Sequence, residues 1–342
     1  MLRLIHRPFG QAEWTDLISD FQDLSLIQTW EYGSAKFKTG SWKVERAVFM
    51  EGQHIVGAVQ ALVRTIPWLQ GGLVWINRGP LWRRHEDTDC SILLEMMSRL
   101  RQHWVDERHM VLRVAPPNRE GEVSLSALEG LGFRVDGSSS SWASARIDLS
   151  FPVDRLRQQL QQKWRNCLNK AERLGLAVES GSEDNLLRLF LDEYRQMIGE
   201  RTLRTSVTPD LLSQLHALLP VERKPWVFAT GQQGKTLGAV LIAKYGDTTE
   251  YLAGAINEDG RRVNAGQLLL WRAVCEMKRQ GYRWFDLGGM DPKITPSGIY
   301  HFKAGLGGVP HRLVGEVAAD DGGWISKVIN LRIRRARKAA EN

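Results

Sequence analysis

The chain has 342 residues, 43% hydrophobic and 25% charged, which exceeds one ordinary domain and allows two of about 150 residues. No stretch approaches the roughly 20 apolar residues that cross a bilayer, and the acid-bearing start MLRLIHRPFGQAEWTDL reads as neither signal nor transit peptide, so the expected compartment is the cytoplasm. Cys90, Cys167 and Cys275 are odd in number, far apart and without metal spacing, which argues against a disulfide framework and a zinc site.

Along the chain, residues 44–50 (VERAVFM), a turn at Glu51-Gly52-Gln53 and residues 54–66 (HIVGAVQALVRTI) predict paired strands by their β-branched content and tight turn. A strand at 71–81 (GGLVWINRGPL), a helix at 91–108 (SILLEMMSRLRQHWVDER), a strand at 110–117 (MVLRVAPP) and the segment 128–135 (LEGLGFRV) follow. The second half repeats this order. Residues 225–231 (PWVFATG), a turn at Gln232-Gln233-Gly234 and 236–246 (TLGAVLIAKYG) form a pair; 248–256 (TTEYLAGAI) is a strand, 265–281 a helix and 282–292 (YRWFDLGGMDP) a strand. Gly57-Ala58-Val59 corresponds to Gly238-Ala239-Val240, and the repeated order predicts a duplication. Between the halves lie the low-complexity run Gly137–Ser141, a strand at 141–150 (SWASARIDLS) and a charged helix over 153–175. That helix has a basic face of Lys163, Arg165, Lys170 and Arg173, which is read either as solvated or as a contact for nucleic acid or phosphate. The expected domains are 1–145 and 146–342, the second ending in a basic helix.

Hairpin, strand, helix and strand in this order resemble the core of the GNAT-type acyltransferase domain, so the expected fold is α/β (α+β) with two tandem GNAT-like domains. GNAT domains that use acetyl-CoA hold its pyrophosphate on backbone amides of a Gly-rich loop at a helix N-terminus. The nearest match is Arg261-Arg262-Val263-Asn264-Ala265-Gly266, with Asn264 in place of the first glycine. Asn tolerates φ > 0, but its side chain fills space the phosphates need. The equivalent place in the first half (RRHEDTDCSIL) has no glycine, and both departures argue against acetyl-CoA.

Specific stretches resemble the FemABX family, the tRNA-dependent aminoacyltransferases that build peptidoglycan cross-bridges, over nearly the whole chain. Gln28-Thr29-Trp30-Glu31-Tyr32-Gly33-Ser34-Ala35-Lys36 is similar to its Gln-x-x-x-Trp-Gly-x-x-Lys segment, with an extra residue between Trp and Gly. Arg78-Gly79-Pro80 resembles its Arg/Lys-Gly-Pro turn, and the run from Lys163 to Arg173 its Lys-x-Arg-Asn-x-x-x-Lys-Ala helix. Asp286-Leu287-Gly288-Gly289 also fits. The most specific match is Gly298-Ile299-Tyr300-His301-Phe302-Lys303-Ala304-Gly305-Leu306-Gly307-Gly308, in which Leu306 replaces a family Phe.

The resemblance implies attack of a primary amine on the ester that links an amino acid to a tRNA 3′ end. Aminoacyl-tRNA is then a co-substrate, no other cofactor is implied, and the acceptor is a peptidoglycan precursor or another amine. Phe302 would serve the tRNA end by stacking on its terminal adenine, and Lys303 would sit where negative charge develops on the tetrahedral intermediate. Lys36 and Arg201 would bind the precursor's diphosphate, and Tyr251 would meet the precursor. Three departures stand out: Gly199 replaces the threonine of the family's Thr-x-Arg, no acid closely follows the Arg-Gly-Pro turn, and there is no room for a long coiled-coil arm.

The net charge of +7 and pI near 9.4 suit polyanionic partners. The tail from Trp324 through Arg332, Arg334, Arg335, Arg337 and Lys338 is expected to be a basic, partly amphipathic helix. It is read as solvated, or as contacting tRNA or the anionic inner face of a membrane. A monomer is expected. The competing readings are a CoA-dependent N-acyltransferase, a binding module without catalysis, and a tRNA-dependent enzyme of natural-product synthesis.

Overall fold

The computed structural model describes residues 1–68, 71–84, 89–135, 141–201 and 205–341, without the side chains of 200, 201 and 338–341. Two compact units result: residues 1–142 with 312–342, and residues 143–311.

The first unit runs β1 (Leu2–His6), α1 (Gln11–Ser19), α2 (Trp30–Thr39), β2 (Lys43–Glu51), β3 (His54–Thr65), β4 (Gly72–Asn77), α3 (Ser91–Arg101), β5 (Met110–Ala115), α4 (Leu125–Gly130) and β6 (Arg134–Val135). Strands β1 to β4 form an antiparallel meander, and α3 with one π turn carries the chain over to β5, parallel to β4. The β-branched run of β3 is buried almost end to end between two apolar layers. Phe49, Val59, Val63, Ile76 and Met96 lie in the larger layer; Trp14, Ile18, Val48, Ala58 and Leu81 lie in the other.

The second unit begins with β7 (Ala143–Asp148), α5 (Val153–Gln159), α6 (Gln162–Arg173), β8 (Val178–Gly181), α7 (Asp184–Arg201) and α8 (Pro209–Leu218). Its meander is β9 (Trp226–Gln232), β10 (Lys235–Tyr245) and β11 (Thr248–Ile256). Helices α9 (Glu258–Arg262) and α10 (Ala265–Arg279) cross to β12 (Trp284–Asp286), parallel to β11; α11 (Ser297–Ala304) and β13 (Val309–Arg312) follow. The chain ends with β14 (Val317–Ala319) and α12 (Trp324–Glu341).

The two sheets, ordered β1-β2-β3-β4-β5-β14-β6 and β8-β9-β10-β11-β12-β7-β13, repeat the same plan. The duplication extends to a detail of the backbone. In β3 the register slips by one residue at Val56, immediately before Gly57, and in β10 it slips at Leu237, immediately before Gly238. A bulge at the same point in both copies of Gly-Ala-Val marks a shared design.

Three expectations change. The second unit starts at residue 143, and a boundary after 145 would cut β7; the run at 136–140 lies outside the described residues. The C-terminal segment, expected in the second domain, returns to the first, because β14 fills the slot between β5 and β6. In return β7, which follows the first unit in the chain, pairs with β12 of the second. The single helix expected over 153–175 is two helices. Leu160 and Gln161 are extended between them, and Gln161 N donates to Gly305 O at 3.0 Å instead of continuing the helix.

Candidate functional site

In the first unit, the motif that carries Lys36 is held by a buried amide network. The Gln28 side chain donates to Asn77 O (2.8 Å) and accepts from Gln60 N (2.8 Å), bridging β3 to the end of β4. The Gln60 amide in turn donates to Thr29 O (2.8 Å) and Ile27 O (3.0 Å) and accepts from Arg46 Nε (2.8 Å). Arg46 is stacked 3.6 Å over Trp30. Thr29 caps α2, its hydroxyl accepting from Tyr32 N. A Cβ on Gly33 would lie 2.4 Å from Gln60 Oε1, so glycine is the residue that lets α2 sit on this amide. Gln28, Trp30 and Gly33 of the motif thus position the helix that carries Lys36. Lys36 is half-buried, and burial and then Arg64 push its pKa down.

In the second unit, β12 delivers Asp286-Leu287-Gly288-Gly289 into a tight loop. Asp286 Oδ1 accepts from Gly288 N at 2.8 Å and from Ser144 Oγ, while Arg146 Nε faces Asp286 Oδ2 at 3.2 Å. Gly288 has φ +68°, and a Cβ there would lie 2.5 Å from Tyr251 O, so both conformation and space require glycine.

Helix α11 brings Lys303 onto this loop. Its side chain is 8% exposed, and Nζ donates to Gly289 O at 2.8 Å and lies 5.1 Å from the centre of the Tyr251 ring. Burial pulls its pKa from the ordinary 10.5 to about 8, against the opposing pull of Glu250 and Asp286. Glu250 is buried and accepts from Tyr245 OH at 2.9 Å. Burial drives the Tyr251 phenol upward, so it stays protonated at neutral pH although the residue keeps part of its surface exposed. A poorly solvated ammonium that holds its proton near neutrality suits stabilisation of developing negative charge.

Phe302 points elsewhere. Its ring is tilted beside Trp164 with centroids 6.4 Å apart, its carbonyl accepts from Trp164 Nε1 at 2.9 Å, and its edge meets Gly266 in the first turn of α10. It is half-buried, which leaves part of its surface exposed. Asn264 adopts the left-handed conformation (φ 58°, ψ 34°) that a glycine would take before α10.

The second unit therefore brings together Lys303 and Tyr251, with Phe302 next in sequence on a different face of α11. Lys36 belongs to the first unit. The side chain of Arg201 lies outside the described residues, as do residues 85–88 after the Arg-Gly-Pro turn. Sequence reasoning did not find Glu250, Ser144 or Arg146. Glu250 neighbours Tyr251 but points to the opposite strand face, and β7 joins its sheet through a non-local pairing that no local pattern announces.

The two units share one GNAT-like fold plan, repeated in tandem along the chain. The Acetyltransferase (GNAT) domain family matches residues 155–304. A crystal structure of FemX superposes with a TM-score of 0.78 at 14% identity, covering 96% of this chain and 100% of that one. A tandem GNAT protein from the clavulanic acid pathway gives 0.51 at 12% identity, covering 94% and 99%. In sequence, the lipid II:glycine glycyltransferase of Staphylococcus saprophyticus is 26% identical over 186 residues, 52% of this chain and 43% of the relative. The same-named protein of Staphylococcus epidermidis is 25% identical over the same shares. The chain thus spans less than half the length of these curated relatives. Within the GNAT-like class, sequence and fold together bear out the resemblance to the FemABX family.

Proposed function

We propose that the protein transfers an amino acid from aminoacyl-tRNA to a primary amine of a peptidoglycan precursor, forming a peptide bond. The observation that carries this reading is Lys303, a nearly buried cation at the centre of the most family-specific stretch, fixed on Gly289 O beside Tyr251. The similarity to lipid II:glycine glycyltransferases supports the choice of acceptor.

The ester of a charged tRNA is already activated, so the enzyme has mainly to place two substrates and stabilise an oxyanion. The amine attacks the ester carbonyl, a C–N bond forms, and negative charge collects on the former carbonyl oxygen. Lys303 donates to that oxygen. Collapse breaks the C–O bond, and the 3′ oxygen of the tRNA leaves with the proton the amine gives up. Phe302 offers its exposed part to the terminal adenine, while Lys36 and Arg201 bind precursor phosphate. Asp286, Ser144 and Gly288 keep the loop beneath Lys303 in one conformation.

Purified protein incubated with charged tRNAs and candidate precursors, soluble and lipid-linked, tests the reading. The expected result is a precursor mass increased by one aminoacyl residue and lost when RNase is added first. A mass shift that survives RNase, or one that needs acetyl-CoA, would refute it.

A further inference from the structure

We infer that the outward face of α12 forms a docking surface for an anionic lipid bilayer. The helix lies on β4 and β5 of the first unit, turning Ser326, Ile329 and Ile333 inward. Ser326 Oγ donates to Asp321 Oδ1 at 2.8 Å, and Asn330 Nδ2 donates to Asp320 Oδ2 at 3.0 Å. Arg337 Nη2, one turn beyond Ile333, donates to Glu316 Oε1 at 2.8 Å. The helix is therefore fixed in rotation.

What it turns outward is unusual for a solvated helix. Trp324, Val328 and Leu331 are 66%, 43% and 49% exposed. Their i, i+4, i+7 spacing places them in one stripe directly opposite the buried face. Arg335 continues the stripe one turn on. Lys327 and Arg334 flank it on one side and Arg332 on the other, all exposed, and the helix has no carboxylate before Glu341. The start of the helix meets Gly71, just before β4, where a Cβ would lie 3.2 Å from Ile325 Cγ2.

An apolar stripe that starts with a tryptophan and has cations along both edges matches the interface of a bilayer. Aromatic and aliphatic side chains enter the headgroup boundary there while the cations meet anionic headgroups. RNA has the charge to bind the cations but offers nothing to Val328 and Leu331, so the bilayer fits both features. The assignment does not depend on the transfer reaction.

Flotation with vesicles tests it, using pure phosphatidylcholine and phosphatidylcholine containing about one third phosphatidylglycerol, at low salt and at roughly 1 M salt, where the Debye length is about 3 Å. Wild-type protein is expected to float with the anionic vesicles at low salt and to bind the neutral ones far less. Lys327→Gln with Arg335→Gln should lower partitioning about 25-fold, fivefold for each cation. Trp324→Ala with Leu331→Ala should lower it at least tenfold on the same vesicles. All four side chains point outward, so both variants should keep the wild-type Tm, which serves as the folding control. Absence of flotation with anionic vesicles, or double variants that float as wild type does, would overturn the assignment. If the charge variant alone loses affinity for uncharged tRNA while both variants still float, the surface is an RNA contact and the proposal fails.

Discussion

Replacing Lys303 with methionine keeps most of the side-chain volume and removes the ammonium, so its effects on stability and on transfer should take opposite signs. The shift of the Lys303 pKa from 10.5 to about 8 corresponds to roughly 3 kcal/mol against the charged form at neutral pH. The variant loses that penalty. It also leaves Gly289 O without the donor now 2.8 Å away, which costs about 1 kcal/mol. Net stability at pH 7 should be unchanged or higher. Transfer, in contrast, should fall about 100- to 1,000-fold in kcat if the ammonium stabilises the oxyanion. Thermal denaturation and single-turnover transfer from charged tRNA read the two effects separately. The pH dependence supplies an internal check. Between pH 8 and 10.5 the unfolded chain holds a proton at Lys303 that the folded chain has released. Wild-type stability should therefore rise with pH across that window relative to the variant. A variant that melts several degrees lower while still transferring at the wild-type rate would make Lys303 a structural residue and refute the reasoning.

Three further outcomes follow from the same geometry. If the Lys303 ammonium stabilises the oxyanion, the ratio of wild-type to Lys303→Met transfer rates should decline as pH rises through about 8, since deprotonation of the acceptor amine affects both proteins alike; a ratio that climbs through this range would make Lys303 a base instead. Gly288→Ala places a Cβ 2.5 Å from Tyr251 O at φ +68°. It should cost roughly 2 kcal/mol or more in denaturant melts and remove transfer, and wild-type values of both would show that the loop is not held as described. Acetyl-CoA should leave the Tm unchanged, since Asn264 stands where the phosphate loop needs a glycine. A ligand at about 100 times its Kd would add about 2.7 kcal/mol, so a clear upward shift would restore the CoA reading.

Much of this was legible in the chain itself. Alternating and β-branched runs around Gly-containing turns announced β2, β3, β4, β9, β10 and β11 but not β1, and the matched Gly-Ala-Val triplets announced the repeat before the paired bulges at Val56 and Leu237 gave it a backbone counterpart. The C-terminal signature located Lys303 but not its depth. Burial there depends on Tyr251 and Gly289, which lie 52 and 14 positions away in sequence and meet it only once β11 and β12 pair. The amides of Gln28 and Gln60 were unreadable as a clamp for the same reason, since their backbone partners lie 31 to 49 residues away. Local patterning also failed at 153–175, where uniform helical propensity hid the bend that Gly305 O imposes through Gln161 N.

The crossed placement of β7 and β14 has a consequence for how the protein comes into being. When the ribosome has made residues 1–142, the N-terminal sheet still has a vacant lane between β5 and β6, and that lane is filled only by residues 317–319. The C-terminal sheet meets no such delay, because β7 is synthesised ahead of everything it pairs with. Synthesis therefore completes the later half first, and the earlier half closes around the end of the chain. A protein cut between residues 142 and 143 would leave the first sheet without β14 and the second with every strand it pairs.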